Sequence, residues 1–160
     1  MKIQSVQDCV LFLCTYAVLH ITSLQDVRNM DGVSWQAFLT LPIIKAVFLF
    51  LNPGMESFWG PVADSFAGSA IGIVVLAFAL VGLCGGADVI MILCVGFTVG
   101  IVDTIHSLLY ASIILLAVEA GKAIKARSLK GLRRKAVPYI PYYCVGFVFA
   151  FVTNHFVEVF

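Results

Sequence analysis

Six apolar runs follow one another along a chain of 160 residues, at about 7–25, 36–52, 66–84, 88–102, 105–121 and 138–159. An α-helix needs roughly 20 predominantly apolar residues to cross a bilayer, so runs of this kind, punctuated by charges, Pro and Gly, read as membrane spans. The expected fold is all-α, a polytopic membrane bundle of about six transmembrane helices. The run at 88–102 is short and lies between Gly85-Gly86 and Asp103, so it is expected to be tilted or half-buried in protein. The first run, Cys9 to Ile21 behind Lys2, has the outline of a secretory signal. No small-x-small cleavage site precedes a soluble region, and it is expected to be a retained first helix.

Composition agrees with this reading. The chain is 61% hydrophobic and 12% charged, whereas a soluble domain is roughly 45–50% apolar and about 25% charged, so too little polar surface is left to face water. Six spans with short connections fill residues 1–160 as a single membrane-embedded domain and leave no room for a separate soluble one, which excludes much of the enzyme catalogue. A net charge of +1 gives no general attraction to nucleic acid. The five cysteines (Cys9, Cys14, Cys84, Cys94, Cys144) lie in apolar stretches with no CxxC pair and no histidine at ligand spacing, so neither a metal site nor a disulfide framework is expected.

Glycines and other small residues recur at helix-packing spacing in Gly68 to Gly72, Gly82 to Gly86 and Gly96 to Gly100, as in any compact membrane bundle.

Seven of the ten Lys and Arg residues fall between Lys122 and Lys135. A short basic loop of this kind stays in the cytoplasm, and its charges need no RNA or anionic-lipid partner to explain them. Counting spans back from that loop places both termini outside and puts Asp26-Val27-Arg28 and Gly85-Gly86-Ala87-Asp88 on the cytoplasmic face. Arg28 agrees with the assignment, and the exclusively acidic loop from Asn52 to Asp64 agrees with an outside position.

Carboxylates at span ends facing a bundle interior are functional candidates. Two that approach within hydrogen-bonding range share a proton, giving an acid and a base in one site, which suffices to hydrolyse a peptide without metal or covalent intermediate. The structural alternative has Asp26 flanking a helix end at headgroup level and Asp88 serving as the N-terminal anion of the fourth span. Gly85 and Gly86 are expected to open backbone conformations closed to other residues and to let a substrate strand approach.

Three segments carry a resemblance. Asp26-Val27-Arg28-Asn29 after a first span, with Leu39-Thr40-Leu41-Pro42 opening the next, resembles the first catalytic segment of the type IV prepilin peptidase family. Gly85-Gly86-Ala87-Asp88-Val89 resembles that family's Gly-x-Gly-Asp segment, and Val137-Pro138-Tyr139-Ile140-Pro141-Tyr142 is similar to its Pro-Phe-x-Pro-Phe entry to the last span. The order is the family's, and the segments cover most of the chain. The resemblance implies a membrane aspartic endopeptidase with Asp26 and Asp88 as catalytic residues, and Gly85, Gly86 and Ala87 as binding or loop-shaping residues. No cofactor is implied. Its partners would be the basic leaders of prepilin or archaellin precursors, cleaved at the cytoplasmic face of the cell membrane. Ala87 stands where the family has its last glycine, Ile90 where a lysine is frequent, and Asp31 to Trp35 where an Ile-Pro pair is frequent. The cysteine-rich zinc segment of longer relatives is missing, so cleavage without methylation is expected.

Other polar residues receive local readings. Lys45, midway in the second span, must pair, snorkel or line a wet cavity, and Glu119 is the expected partner. Asp103 and His106 are expected in a hydrated turn outside, with a proton-relay pair as the alternative. His20 and His155 are expected at the interface or satisfied within the bundle. Trp35, and Phe58 and Trp59 in the Pro/Gly-rich stretch 52–61, suit the membrane interface. Two further classes of function remain: a non-catalytic assembly protein of a surface-filament system, and a small proton- or cation-coupled transporter, which would call for midplane polar residues in several spans where only Lys45 is clearly so placed.

Overall fold

A computed structural model describes residues 6–28, 34–51, 59–81, 85–126 and 138–156. The described residues form six helices and no strand: α1 (Val6–Arg28), α2 (Gln36–Leu51), α3 (Trp59–Leu80), α4 (Gly86–Val99), α5 (Ile101–Ala126) and α6 (Ile140–Phe156). Three of them, α1, α3 and α5, are long and apolar enough to cross a membrane, while α2 and α4 are shorter apolar helices. Most of the surface of α3 and α5 faces outward, and large apolar side chains such as Phe50, Leu80, Leu116 and Ile124 are exposed. Contiguous apolar exterior on this scale suits lipid contact rather than water.

The short fourth helix is the centre of the bundle. Val89, Met91, Ile92, Cys94, Val95, Gly96 and Thr98 are all buried, and α4 packs against α1, α2, α3 and α5. Around it the core gathers Leu19, Phe38, Leu41, Ile140, Tyr143 and Phe147. Of the two expectations for this segment, tilted or half-buried in protein, burial in protein is the one the helix meets.

Small residues set the closest contact. A Cβ on Gly68 would collide with the Gly96 carbonyl, and one on Gly72 would overlap Leu93. Ser69 Oγ donates to the Leu93 carbonyl at 3.0 Å across the same seam. Without a hydrophobic force between helices in lipid, such close backbone approach and interhelical hydrogen bonding supply the association.

Several boundaries differ from the sequence expectation, most of all at the start of α3, at the end of α5 and between α4 and α5. α3 begins at Trp59, seven residues before the predicted start, because Pro61 falls in the first helical turn, where its missing N–H has no intrahelical role. α5 runs to Ala126, carried through Lys122 and Lys125 by good helix formers and by the Glu119–Lys122 ion pair. Between α4 and α5 the connection is the single residue Gly100, so Asp103 and His106 lie in the first turns of α5 rather than in a hydrated turn. Gly100 has φ 89°, a left-handed conformation that glycine adopts without steric penalty, and its N–H closes α4 on the Gly96 carbonyl at 3.0 Å. Inside α2, Pro42 removes one backbone donor and is accommodated within the helix.

Candidate active site at the Asp26 end of the bundle

Asp26 stands in the last turn of α1, half-buried. Just before it the hydroxyls of Thr22 and Ser23 donate back to the carbonyls of Val18 and His20 at 2.7 and 2.8 Å, which keeps these polar groups satisfied inside the apolar helix. The Asp26 carboxyl faces the backbone N–H of Ile140, the first residue of α6. The positive end of a helix dipole is thus directed at an anion from a different helix.

Asp88 occupies the first turn of α4, half-buried, and its Oδ2 accepts the Gly85 N–H at 3.1 Å. This is the N-terminal anion role foreseen as the structural alternative. It does not exclude the other role, because the Asp26 charge acts on Asp88 across the space between α1 and α4. The two carboxyl groups share no direct hydrogen bond here. In free enzymes catalytic hydrogen bonds are often long and tighten only when substrate binds, so the missing bond does not by itself decide between the two roles.

Gly85, Gly86 and Ala87 directly precede Asp88, with Gly85 and Gly86 exposed. Gly85 has φ −79° and ψ 152°, extended backbone open to any residue, so the expectation of a glycine-only conformation at this position is corrected. What the small residues provide is room. A Cβ on Gly85 would come 3.2 Å from Asp88 Oδ2, and one on Gly86 would meet nothing within 4 Å.

The segment that resembles the entry to the last span meets the same site through Ile140, while Val137 lies outside the described residues. Lys122, near the end of α5, reaches Tyr142 in the first turn of α6, so basic residues adjoin this end of the bundle. Most of the remaining basic cluster, Arg127 to Lys135, lies outside the described residues, as do Asn29 to Val33, Asn52 to Phe58 and Cys84. The described cysteines are free, with Cys94 and Cys144 buried. Among the described residues no group of three His, Cys, Asp or Glu could hold a metal ion.

One pairing expected from sequence is replaced. Glu119 Oε1 binds Lys122 Nζ at 2.6 Å, one helical turn away, while Lys45 faces Asp8 and Asp64 at the other end of the bundle. Sequence distance hid this, because Asp8, Lys45 and Asp64 belong to three different helices. The role of Asp64 was equally hidden: its Oδ1 accepts the Ile101 N–H at 3.1 Å and caps α5 from α3. His20 stacks on Tyr16, and His155 meets Asp103, a partner that spacing does not reveal.

Compared with known protein families, curated proteins and solved structures, the chain matches none.

Proposed function

We propose that this chain is a membrane aspartic endopeptidase that removes the short basic leader of type IV prepilin-like or archaellin precursors at the cytoplasmic face of the cell membrane. The observation that carries the reading is convergence. Asp26 from α1, Asp88 from α4 and Ile140 at the start of α6, each inside one of the three segments that resemble the prepilin peptidase family, meet at one end of the bundle.

In this reading the ionised carboxyl takes a proton from water as its oxygen attacks the scissile carbonyl. The protonated carboxyl donates to the developing oxyanion. When the resulting gem-diol collapses, a hydroxyl returns a proton to that carboxyl while the carboxyl that took the water proton gives it to the leaving amine, which restores both groups as the peptide bond breaks. The basic residues of the loop after α5 hold this end in the cytoplasm, where water reaches it and where a leader would lie. Open space beside Gly86 leaves the approach for an extended substrate strand.

A second reading, a non-catalytic assembly protein, is favoured by one observation: both carboxylates are directed at backbone N–H groups of helix starts. Co-expression with candidate precursors separates the two. Processing by the parent, lost in both Asp26→Asn and Asp88→Asn, is the expected result. Processing that persists in both variants would falsify the dyad, and a parent that processes no leader class favours the assembly reading.

A further inference from the structure

At the end of the bundle opposite Asp26 and Asp88, all six helices contribute to a cavity of about 980 Å³. Its charged lining comes from four helices: Asp8 of α1, Lys45 of α2, Asp64 of α3 and Asp103 of α5. Three carboxylates against one ammonium leave the cavity electronegative. Lys45 lines the cavity together with Asp8 and Asp64, whose negative charges act on it.

Asp103 is held differently. Its Oδ1 accepts Asn154 Nδ2 at 2.6 Å and its Oδ2 lies 3.4 Å from His155 Nε2, so neither partner is a Lys or Arg. The Asn154 amide is in turn fixed by His106. With Nδ2 turned to Asp103, Asn154 Oδ1 must accept, and His106 Nδ1 is therefore the donor across 2.6 Å. Side chains locked this way form a pre-ordered acceptor rather than a solvated surface acid.

Beside Asp103 the wall is aromatic. Phe12 lies parallel to Phe151 with centroids 3.8 Å apart and to Phe147 at 5.2 Å, and Phe151 contacts the His155 ring at 4.5 Å. A carboxylate next to aromatic rings recognises cations that carry carbon substituents. The volume suits a small organic molecule, and among the described residues no three-ligand cluster suits a bare metal ion. The depth fits as well. The 14 residues of α4 rise only about 21 Å, less than a hydrocarbon layer of roughly 30 Å, and non-helical backbone such as Gly100 at such depth belongs beside a polar cavity.

We propose that this cavity binds an organic ammonium cation, with its nitrogen beside Asp103 and its carbon substituents against Phe12 and Phe151. The proposal uses no residue of the Asp26–Asp88 site, so it stands or falls separately from the peptidase reading.

Equilibrium dialysis of labelled choline against the purified full chain tests it, with 3,3-dimethylbutan-1-ol, the uncharged isostere, and sodium chloride as competitors. The expected result is saturable binding that neither competitor displaces. Asp103→Asn should weaken it by about tenfold or more, and Lys45→Gln should strengthen it, because removing the positive charge deepens the negative potential. Melting curves of both variants establish that they are folded, and Phe151→Leu, which leaves Asp103 in place, should weaken binding independently. Absence of saturable binding, displacement by the alcohol or by sodium, or equal affinity in folded Asp103→Asn overturns the proposal. Nanodiscs of phosphatidylglycerol, alone or with phosphatidylcholine, distinguish the source of the cation. Unchanged choline affinity assigns a soluble ligand, and weakened apparent affinity assigns a lipid headgroup.

Discussion

Asp88 Oδ2 accepts the backbone N–H of Gly85 at 3.1 Å, so the carboxylate proposed to do chemistry also closes the first turn of α4. The two roles separate by substitution. Asn accepts the same hydrogen bond through its carbonyl oxygen, whereas Ala cannot. Asp88→Asn should therefore keep the parent's melting temperature in detergent while abolishing leader removal, a loss of about 10²-fold to 10⁴-fold or more in rate for a missing acid or base. Asp88→Ala should lose both, with about 1 kcal/mol of stability gone. Precursor mobility and mass, read beside a melting curve, check both outcomes.

Gly100 is constrained twice, by its positive φ and by the Asp64 carboxylate, which occupies the place a Cβ would take. Gly100→Ala should destabilise the bundle by about 2 kcal/mol or more, since it imposes left-handed strain and displaces the acceptor of the Ile101 N–H. Reversible unfolding in mixed detergent micelles would register this. A parent-like stability would mean that the turn between α4 and α5 is not built as described.

Gly68 and Gly96 meet backbone to backbone. Gly68→Val should force α3 away from α4, with a cost of about 1–3 kcal/mol for overpacking together with weakening of the Ser69–Leu93 hydrogen bond. Gly86→Ala, where a Cβ meets nothing within 4 Å, should leave stability unchanged and serves as the matched control.

Glu119 binds an exposed lysine one turn away rather than Lys45. Glu119→Gln should accordingly leave the melting temperature where it was, because a surface pair of this kind contributes little. A marked loss would show that Glu119 serves a buried cation instead.

Asn154 joins α6 to α5 by bonding both Asp103 and His106. Asn154→Leu strands these partially buried groups and should cost about 1–3 kcal/mol, measured by the same unfolding assay.

Much of the fold is legible in the chain itself. Apolar runs against charge-bearing breaks mark every one of the six helices, since burial in lipid or protein selects for runs of the right length whatever their neighbours are. The misplaced ends have a common cause. Trp59 to Ser65 contains Pro and Gly, and Asp103 to His106 contains charge, so both read as breaks, yet a first-turn proline is harmless and the Asp103 carboxylate finds Asn154 on another helix. Local composition carries no information about such a partner.

The two aspartates mark the same division. Their residue type, their places at span ends and their neighbouring motifs are properties of the sequence, and so is the charge asymmetry from which the orientation is argued. That the charge of Asp26 reaches Asp88, that Asp26 faces the first N–H of α6, and that Lys45 lies with Asp8 and Asp64 while Glu119 pairs with Lys122 were decided by tertiary structure. Hydrophobic length is summed along a segment and can be read from it. Electrostatic and hydrogen-bond partners depend on distances between helices, which are set only when glycines such as Gly68 and Gly96 let the helices pack.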